Sequence, residues 1–510
     1  MPNLLINAGP GCGKTSTIVD AYLYYKTANP VMWLTRFQNT PEQAAIYQWC
    51  RDNFPRKPDV AVAGLDCYKA IYMAFNNTTV DDLKPRIHKD TDVKTHHGWG
   101  YSVIQKAYGF VPVNERAGEA IVEKLTGQTM SQNKRRFDWI SSLRFVEKFQ
   151  EELLDLTQEN LYALQAKYSE LAPYKIHPDM LSQCSEIIRA MKTVDRRIGI
   201  TYMMQVWLAL FLLKTPPHEI GFVDECQDLS PARLALSLKL AKNLVFVGDN
   251  NQAINGWNGA DPHSIERIRE YCAAELPLRL SFRLPPNVAA QANKIRPTAQ
   301  IRTIDNKKDG IIARVTPDEL MTWTRNTLES LSNHADSKDK NPMIVCRYNA
   351  PLVKLALQYV REGIPCKSLG ATVVKSLIST VVNRKATSME DLLLKLAQYE
   401  QRTLEVGNAM AKQANKDKFD CIKHVLKSCT TIDDFEPMLK RLLQPPKGTQ
   451  HVVLSTVHKA KGLEARVVGL LNPPIPSSRA ETPDQIEQEK NVDFVAHTRT
   501  KSDMYYLFND

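Results

Sequence analysis

The residues Ala8-Gly9-Pro10-Gly11-Cys12-Gly13-Lys14-Thr15 have the types and spacing of a phosphate-binding loop. Small residues let consecutive backbone N–H groups turn toward the β- and γ-phosphates of a nucleotide. Lys14 adds a cation, and the Thr15 hydroxyl is placed to ligand Mg²⁺. Ala8 stands where such loops usually carry their first glycine. The helix that starts near Thr15-Ser16 points its positive end at the same anion. A plain glycine turn before a helix is the alternative, and the order strand, loop, Gly-Lys-Thr, helix argues against it.

A second stretch, GFVDECQDLS, brings an apolar strand to an end at Asp224 and Glu225, with Gln227 and Asp228 following. One carboxylate is needed to hold a hydrated Mg²⁺, and an adjacent one can activate the attacking water. Asp224 suits the metal and Glu225 suits the base. A third strand ends in VFVGDNNQAINGWNGA. Gln252 is placed to touch the γ-phosphate or its water, and Trp257, in a Gly/Asn-rich loop, can stack on an unpaired base. Taken alone, a tryptophan is more often a packing residue. The first two motifs together point to hydrolysis of ATP or GTP.

Elements must hold these groups. Short apolar runs that end in polar or glycine residues (NLLIN, VMWLT, DVAVAG, GFVDE, NLVFVGD) with helices between them predict a parallel sheet flanked by helices. Ligands in such sheets bind at the carboxyl ends of the strands, where Asn7, Thr35, Asp224 and Asp249 fall. From Tyr101 to about Ile200 the pattern turns long, polar and helical, with basic spots such as NKRRFDW. GIIARV, PMIVCRY, HVVLSTV, ARVVGLL and DMYYLF predict a second α/β domain, interrupted by a charged helical stretch from Val373 to about Pro446. The run VWLALFLL is too short to span a bilayer and reads as a buried helix.

Composition agrees with this. The 510 residues are 43% hydrophobic and 24% charged, with a net charge of +10, which suits a polyanionic partner without proving one. The ten cysteines lack paired CxxC spacing, so neither zinc nor a disulfide framework is expected, and a reducing, cytoplasmic setting is.

These motifs, in this order, resemble the motor of superfamily 1 helicases of the UvrD/Rep-like branch. VKTHHGWG is similar to the family's single-strand-contacting Thr-x-His segment, carried by Thr95 and His97. LSFRLPPNV resembles its Asn-Tyr-Arg segment as Ser281-Phe282-Arg283, and IVCRYNA its Arg-containing strand. LSTVHKAKGLEARVV resembles the Thr-x-His-x-x-Lys-Gly-Leu-Glu segment, and FVAHTRTK the final Tyr-Val-Ala-x-Thr-Arg segment with Arg499. TRFQNT stands for Thr-Phe-Thr-Asn-Lys, with the aromatic position shifted to Phe37.

The resemblance implies two RecA-like P-loop domains with helical insertions. The expected division is 1–100 with 201–275, an insertion at 101–200, then 276–372 with 447–510, and a short insertion at 373–446. It implies ATP and Mg²⁺ as cofactors, and single-stranded DNA and duplex junctions as partners. The setting would be nucleoid-associated in a prokaryote. It makes Arg283 and Arg499 the arginines that meet the γ-phosphate, Phe282 the ring that stacks on adenine, and Glu464 the acceptor for a ribose hydroxyl. Thr35, Thr95, His97, Trp257, Thr456 and His458 become the strand contacts. The His-x-x-Lys-Gly-Leu-Glu form implies 3′-to-5′ movement. Only Met1–Asn7 precede the loop, so the family's adenine-reading glutamine segment is expected to be absent and base selectivity relaxed. The short 373–446 insertion is expected to give a weak self-inhibitory swivel or none. A nucleic-acid-stimulated ATPase that strips proteins from strands is the alternative. A P-loop kinase fits less well, since it needs no second motor domain.

Overall fold

The computed structural model describes residues 2–27, 40–54, 70–83, 93–168, 171, 173–256, 261, 263–334, 337–368, 371–405, 415, 418–420, 422–423, 425–427, 429–443, 445, 448–473, 475–476 and 483–509. The chain divides into two units, Met1–Leu280 and Ser281–Asp510.

The first unit is built on a sheet of β1 (Leu4–Ala8), β2 (Ala70–Ala74), β3 (Val93–Thr95), β4 (His218–Val223), β5 (Ala241–Gly248) and β6 (Ala274–Leu278). Its order is β3-β2-β4-β5-β1-β6, and every pairing is parallel. Such strands are covered on both faces, which is why β1 reads as an unbroken apolar run. Leu4 and Ile6 point into a core with Ile18 and Ile46, while Leu5 points into the opposite core with Ile71, Val206 and Phe246. Each such side chain, removed wholly from water, stabilises the fold by about 1.5–3 kcal/mol. The expected first-domain limit at residue 275 falls inside β6. That strand pairs with β1 from Leu4↔Ala274 to Ala8↔Leu278, so the first unit runs on to Leu280.

The second unit follows the short pair β7 (Leu280–Ser281) and β8 (Arg302–Thr303) with β9 (Ile312–Val315), β10 (Met343–Cys346), β11 (Cys366–Ser368), β12 (Val452–Thr456), β13 (Ala465–Leu471) and β14 (Thr500–Leu507). Their order is β11-β12-β10-β13-β14-β9, again parallel throughout. The runs VMWLT and DVAVAG lie outside the described residues.

Both helical stretches are present, and they differ in how they are packed. In the first unit, helices Ala117–Thr126, Arg136–Glu152, Gln158–Lys167 and Met180–Lys192 surround a core that includes Val122, Phe145, Phe149 and Ile187 and that also takes in Ile104 and, from helix Tyr202–Leu212, Met204 and Trp207. In the second unit, helices Ala371–Val382, Met389–Glu405 and Phe435–Leu443 send Leu377, Leu392 and Phe435 into the same core as Ile344, Val452 and Leu454 of the sheet. The described helices of this stretch therefore wall the second core. VWLALFLL lies in helix Tyr202–Leu212, buried along most of its length. No helix among the described residues is long and apolar enough to cross a membrane.

Candidate nucleotide site

The loop after β1 turns through Gly11 (φ 69°) and Gly13 (φ 77°), a left-handed backbone that glycine adopts without steric cost. Its start is fixed to the neighbouring strand, the Gly9 N–H donating to the Leu278 carbonyl at 2.8 Å. The helix Lys14–Thr27 begins directly on the loop, with no acidic residue in its first turn to compete for its N–H groups. Ser16 lies in that first turn. Thr17 donates through both its N–H and its hydroxyl to the Gly13 carbonyl, at 2.9 Å each, and Gln43 Nε2 donates to Thr17 Oγ1 at 3.0 Å. Gln43 itself closes a capping box with Thr40, so helix Pro41–Asn53 braces the helix of the phosphate loop.

Carboxylates meet this loop from the next strands. Lys14 Nζ lies 3.4 Å from Glu225 Oε1. Burial works against the ammonium charge, and Glu225, Asp249 and Asp224 nonetheless hold the Lys14 pKa above its ordinary value. Thr15 Oγ1 stands 3.4 Å from Asp224 Oδ2, which also accepts from the Tyr72 hydroxyl at 2.9 Å. Asp224 is buried at the end of β4, and its pKa is pushed up to about 6 by that burial and by the neighbouring Glu225. A pair of hard oxygens this close suits adjacent corners of a Mg²⁺ octahedron, about 2.9 Å apart for bonds of 2.0–2.1 Å. Thr15 and Asp224 would hold the ion, which would clamp phosphate oxygens and offset their charge.

Glu225 sits in the left-handed region (φ 53°), an uncommon conformation for a residue with a side chain. Its side chain is held at both ends, by Lys14 and by Gln227, whose Nε2 donates to Oε2 at 2.5 Å. The same Gln227 amide accepts from the Asp249 N–H at 3.0 Å. Gly248 allows this contact, because a Cβ there would lie 2.6 Å from Gln227 Oε1. Gln227 thus ties the end of β4 to the end of β5 and aims the candidate base. The spacing of the sequence shows Gln227 but not this task, which depends on β4 and β5 being neighbours. Gln252 is buried and donates to Asp249 Oδ2 at 2.6 Å. Asp249 thereby links it to the strand end beside the loop.

Thr95 ends β3 and caps helix His96–Tyr108, accepting from the Gly98 N–H at 3.1 Å. His97 packs edge-on against Tyr202, with ring centroids 6.2 Å apart, and burial pushes its pKa down to about 4, so the ring is neutral at pH 7. Thr35 and Trp257 lie outside the described residues.

The remaining candidates belong to the second unit, and they sit at both ends of its sheet. Glu464 precedes β13 and Arg499 precedes β14, so both stand at the amino ends of adjacent strands. Arg283 reaches them, with Nη2 2.5 Å from Glu464 Oε2 and Nη1 donating to the Thr498 carbonyl at 3.3 Å. Lys501 joins Glu464 (3.2 Å) to Asp339 (2.9 Å). Burial opposes the Glu464 charge, yet Arg283 and Lys501 hold its pKa below the usual range. Arg499 is buried and donates to the carbonyls of Val495 (2.9 Å) and Leu463 (3.3 Å) and to Thr498 Oγ1 (3.0 Å). Phe282 remains 44% exposed. Thr456 and His458 sit at the opposite end of the sheet, at the close of β12 and on the short helix Val457–Ala460. There Cys346 of β10 pairs with Thr456, and Arg347 follows, its Nε and Nη2 donating to Glu489 at 2.9 and 2.5 Å.

Among the described residues no cluster of three or more His, Cys, Asp and Glu could hold a metal, and no described cysteine forms a disulfide.

Residues 114–509 match the model of the UvrD-like helicase C-terminal domain. The F-box DNA helicase protein 1 of Schizosaccharomyces pombe is 22% identical over 489 residues, covering 87% of this chain and 52% of that protein. The mitochondrial ATP-dependent DNA helicase HMI1 of Saccharomyces cerevisiae is 22% identical over 384 residues, covering 71% of this chain and 50% of that protein. The chain thus spans about half the length of these relatives. With the family model covering most of the sequence and a phosphate loop facing two strand-end carboxylates in a RecA-like sheet, this chain belongs to the UvrD-like helicases of superfamily 1.

Proposed function

We propose that the chain hydrolyses ATP with Mg²⁺ and couples that hydrolysis to movement along single-stranded DNA, 3′ to 5′, opening duplexes at junctions. The observation that carries this is the arrangement of Lys14, Thr15, Asp224 and Glu225 around the loop after β1. Lys14 would neutralise the β- and γ-phosphates, Thr15 and Asp224 would hold the metal, and Glu225 would take a proton from the attacking water. Gln252 would sense the γ-phosphate from beside Asp249. In this reading nucleotide bound on the first unit is met by Arg283 and Arg499 of the second. Charge spreading over the γ-phosphate oxygens would then be stabilised by cations from another body. Phe282 would stack on the base, and Glu464 would accept from the ribose hydroxyl. Binding would close the units and hydrolysis release them, which turns chemistry into a step. Thr35, Thr95, His97, Trp257, Thr456 and His458 would contact the strand.

Matched duplexes with 3′ or 5′ tails, in DNA and in RNA, test this together with ATPase measurements with and without single strands. The expected result is ATPase stimulated by single-stranded DNA and unwinding of the 3′-tailed DNA duplex. Stimulation without unwinding would favour the protein-stripping ATPase. ATPase indifferent to single strands would overturn both readings. Both curated relatives are named as DNA helicases, which favours unwinding.

A further inference from the structure

The loop that follows β8 carries a lysine whose ammonium group donates to two successive backbone carbonyls. Lys307 Nζ donates to the carbonyl of Phe282 at 2.7 Å and to the carbonyl of Arg283 at 2.6 Å. Two consecutive carbonyls held by one cation fix the two peptide planes on either side of Arg283, the first of which also bounds Phe282. Those planes help set the directions in which the two side chains leave the backbone. Those side chains are the half-exposed Phe282 ring and the Arg283 guanidinium bound to Glu464.

The loop is built to keep Lys307 in place. Asn306 takes the left-handed backbone (φ 61°), and Lys307 N–H donates back to the Ile304 carbonyl at 3.4 Å. Asn287 then locks the loop's far side. Its Nδ2 donates to the Gly310 carbonyl at 2.6 Å, its Oδ1 accepts from the Gly310 N–H at 3.0 Å, and its own N–H donates to Asp309 Oδ1 at 3.0 Å. Placing an ammonium here is costly, because the site is partly buried and Arg283 is a like charge close by; both push the Lys307 pKa down. A loop staple has cheaper solutions than a second cation beside an arginine.

We propose that Lys307 is a positioning residue for nucleotide use. It holds the Phe282 and Arg283 carbonyls so that the ring meets the base while the arginine stays aimed at the phosphate side. This rests on the nucleotide reading given above. Small displacements of positioned groups carry large kinetic costs, so Lys307→Ala is expected to raise KM for ATP by about tenfold or more. It should also narrow the preference for ATP over a pyrimidine triphosphate. Lys307→Arg, which can span both carbonyls, should restore most of the loss.

The test uses the full chain. It measures binding of a fluorescent ATP analogue, steady-state KM and kcat on ATP and CTP, and thermal melting, for wild type, Lys307→Ala and Lys307→Arg. A raised KM and flattened ATP/CTP ratio in the alanine variant, with melting near wild type and rescue by arginine, supports the proposal. Unchanged KM and ATP/CTP ratio overturn it. A loss that only follows a lowered melting temperature, without rescue by arginine, overturns it too and leaves Lys307 as a staple. If the wild type binds the analogue but does not hydrolyse ATP, the helicase reading falls while the binding comparison still decides Lys307. A wild type that binds no nucleotide removes both.

Discussion

The two sheets share a parallel build but place their charges at opposite ends and in opposite states. In the first, Lys14, Asp224 and Asp249 follow β1, β4 and β5, at the carboxyl ends where helix N-termini also point. There one lysine faces Glu225, Asp224 and Asp249, and burial together with the neighbouring Glu225 raises the Asp224 pKa. In the second, Glu464 and Arg499 precede β13 and β14, at the amino ends, and each cation already has an internal partner. The first end is poised to accept a cation together with phosphate. The second end has nothing to gain from an anion unless the anion outbids Glu464 for Arg283. In the proposed function, such a competition would let nucleotide change the second unit's internal bonds rather than merely add to them.

Substitutions can break or sharpen this contrast. Lys14→Ala should have the largest effect, lowering ATPase activity on the order of 10³- to 10⁴-fold, since it removes the cation from an end already short of one. Steady-state hydrolysis measures it, and retained strand binding would show that the fold survives. Glu225→Gln should come next, with hydrolysis reduced about 10³-fold while nucleotide still binds. If hydrolysis persisted, the base would have to be sought elsewhere among the strand ends. Arg283→Ala should cost about 10²-fold in kcat, with little change in melting, because its partner Glu464 is partly exposed and such pairs add little stability. Equal losses in kcat and melting temperature would mean that the arginine is structural, and the contrast between the two ends would lose its functional meaning.

The smallest effect is one of pH. A carboxyl raised to about 6 keeps its proton in the folded chain over a range where the unfolded chain has lost it. Stability contributed by Asp224 is therefore greatest at low pH and falls as pH rises from about 4 to about 6. Without nucleotide, the wild type should lose a few degrees of melting temperature across this window relative to Asp224→Asn. Parallel profiles for the two proteins would show that Asp224 titrates normally.

Much of this was legible in residues alone. Strands β1, β4, β5, β10, β12 and β13 are continuous apolar runs because both faces are covered, and the runs mark them. β6 escapes that signal: as AELPL at the sheet edge it alternates and carries a proline, which an edge strand tolerates. β2 (AIYMA) is fully buried but short. The phosphate loop and its two carboxylates were legible because their chemistry lies in contiguous stretches. Gln227 and Lys307 were not, since each acts on a strand end or peptide that only the tertiary fold brings near. The burial of Arg499 was equally invisible, because a motif arginine looks the same whether it faces solvent or a helix's last carbonyls.

The shared core of the second insertion bears on how the molecule comes apart. Leu377, Leu392 and Phe435 lie in one cluster with Ile344 and Leu454, so amides of those helices should exchange with solvent at the same free energy as β10 and β12. The 101–200 helices, packed around Phe145 and Phe149, meet the first sheet's core through helix Tyr202–Leu212 and should open at a lower free energy than β1 and β5. Shuffling or trimming of this chain should therefore tolerate cuts around the first insertion far better than around the second.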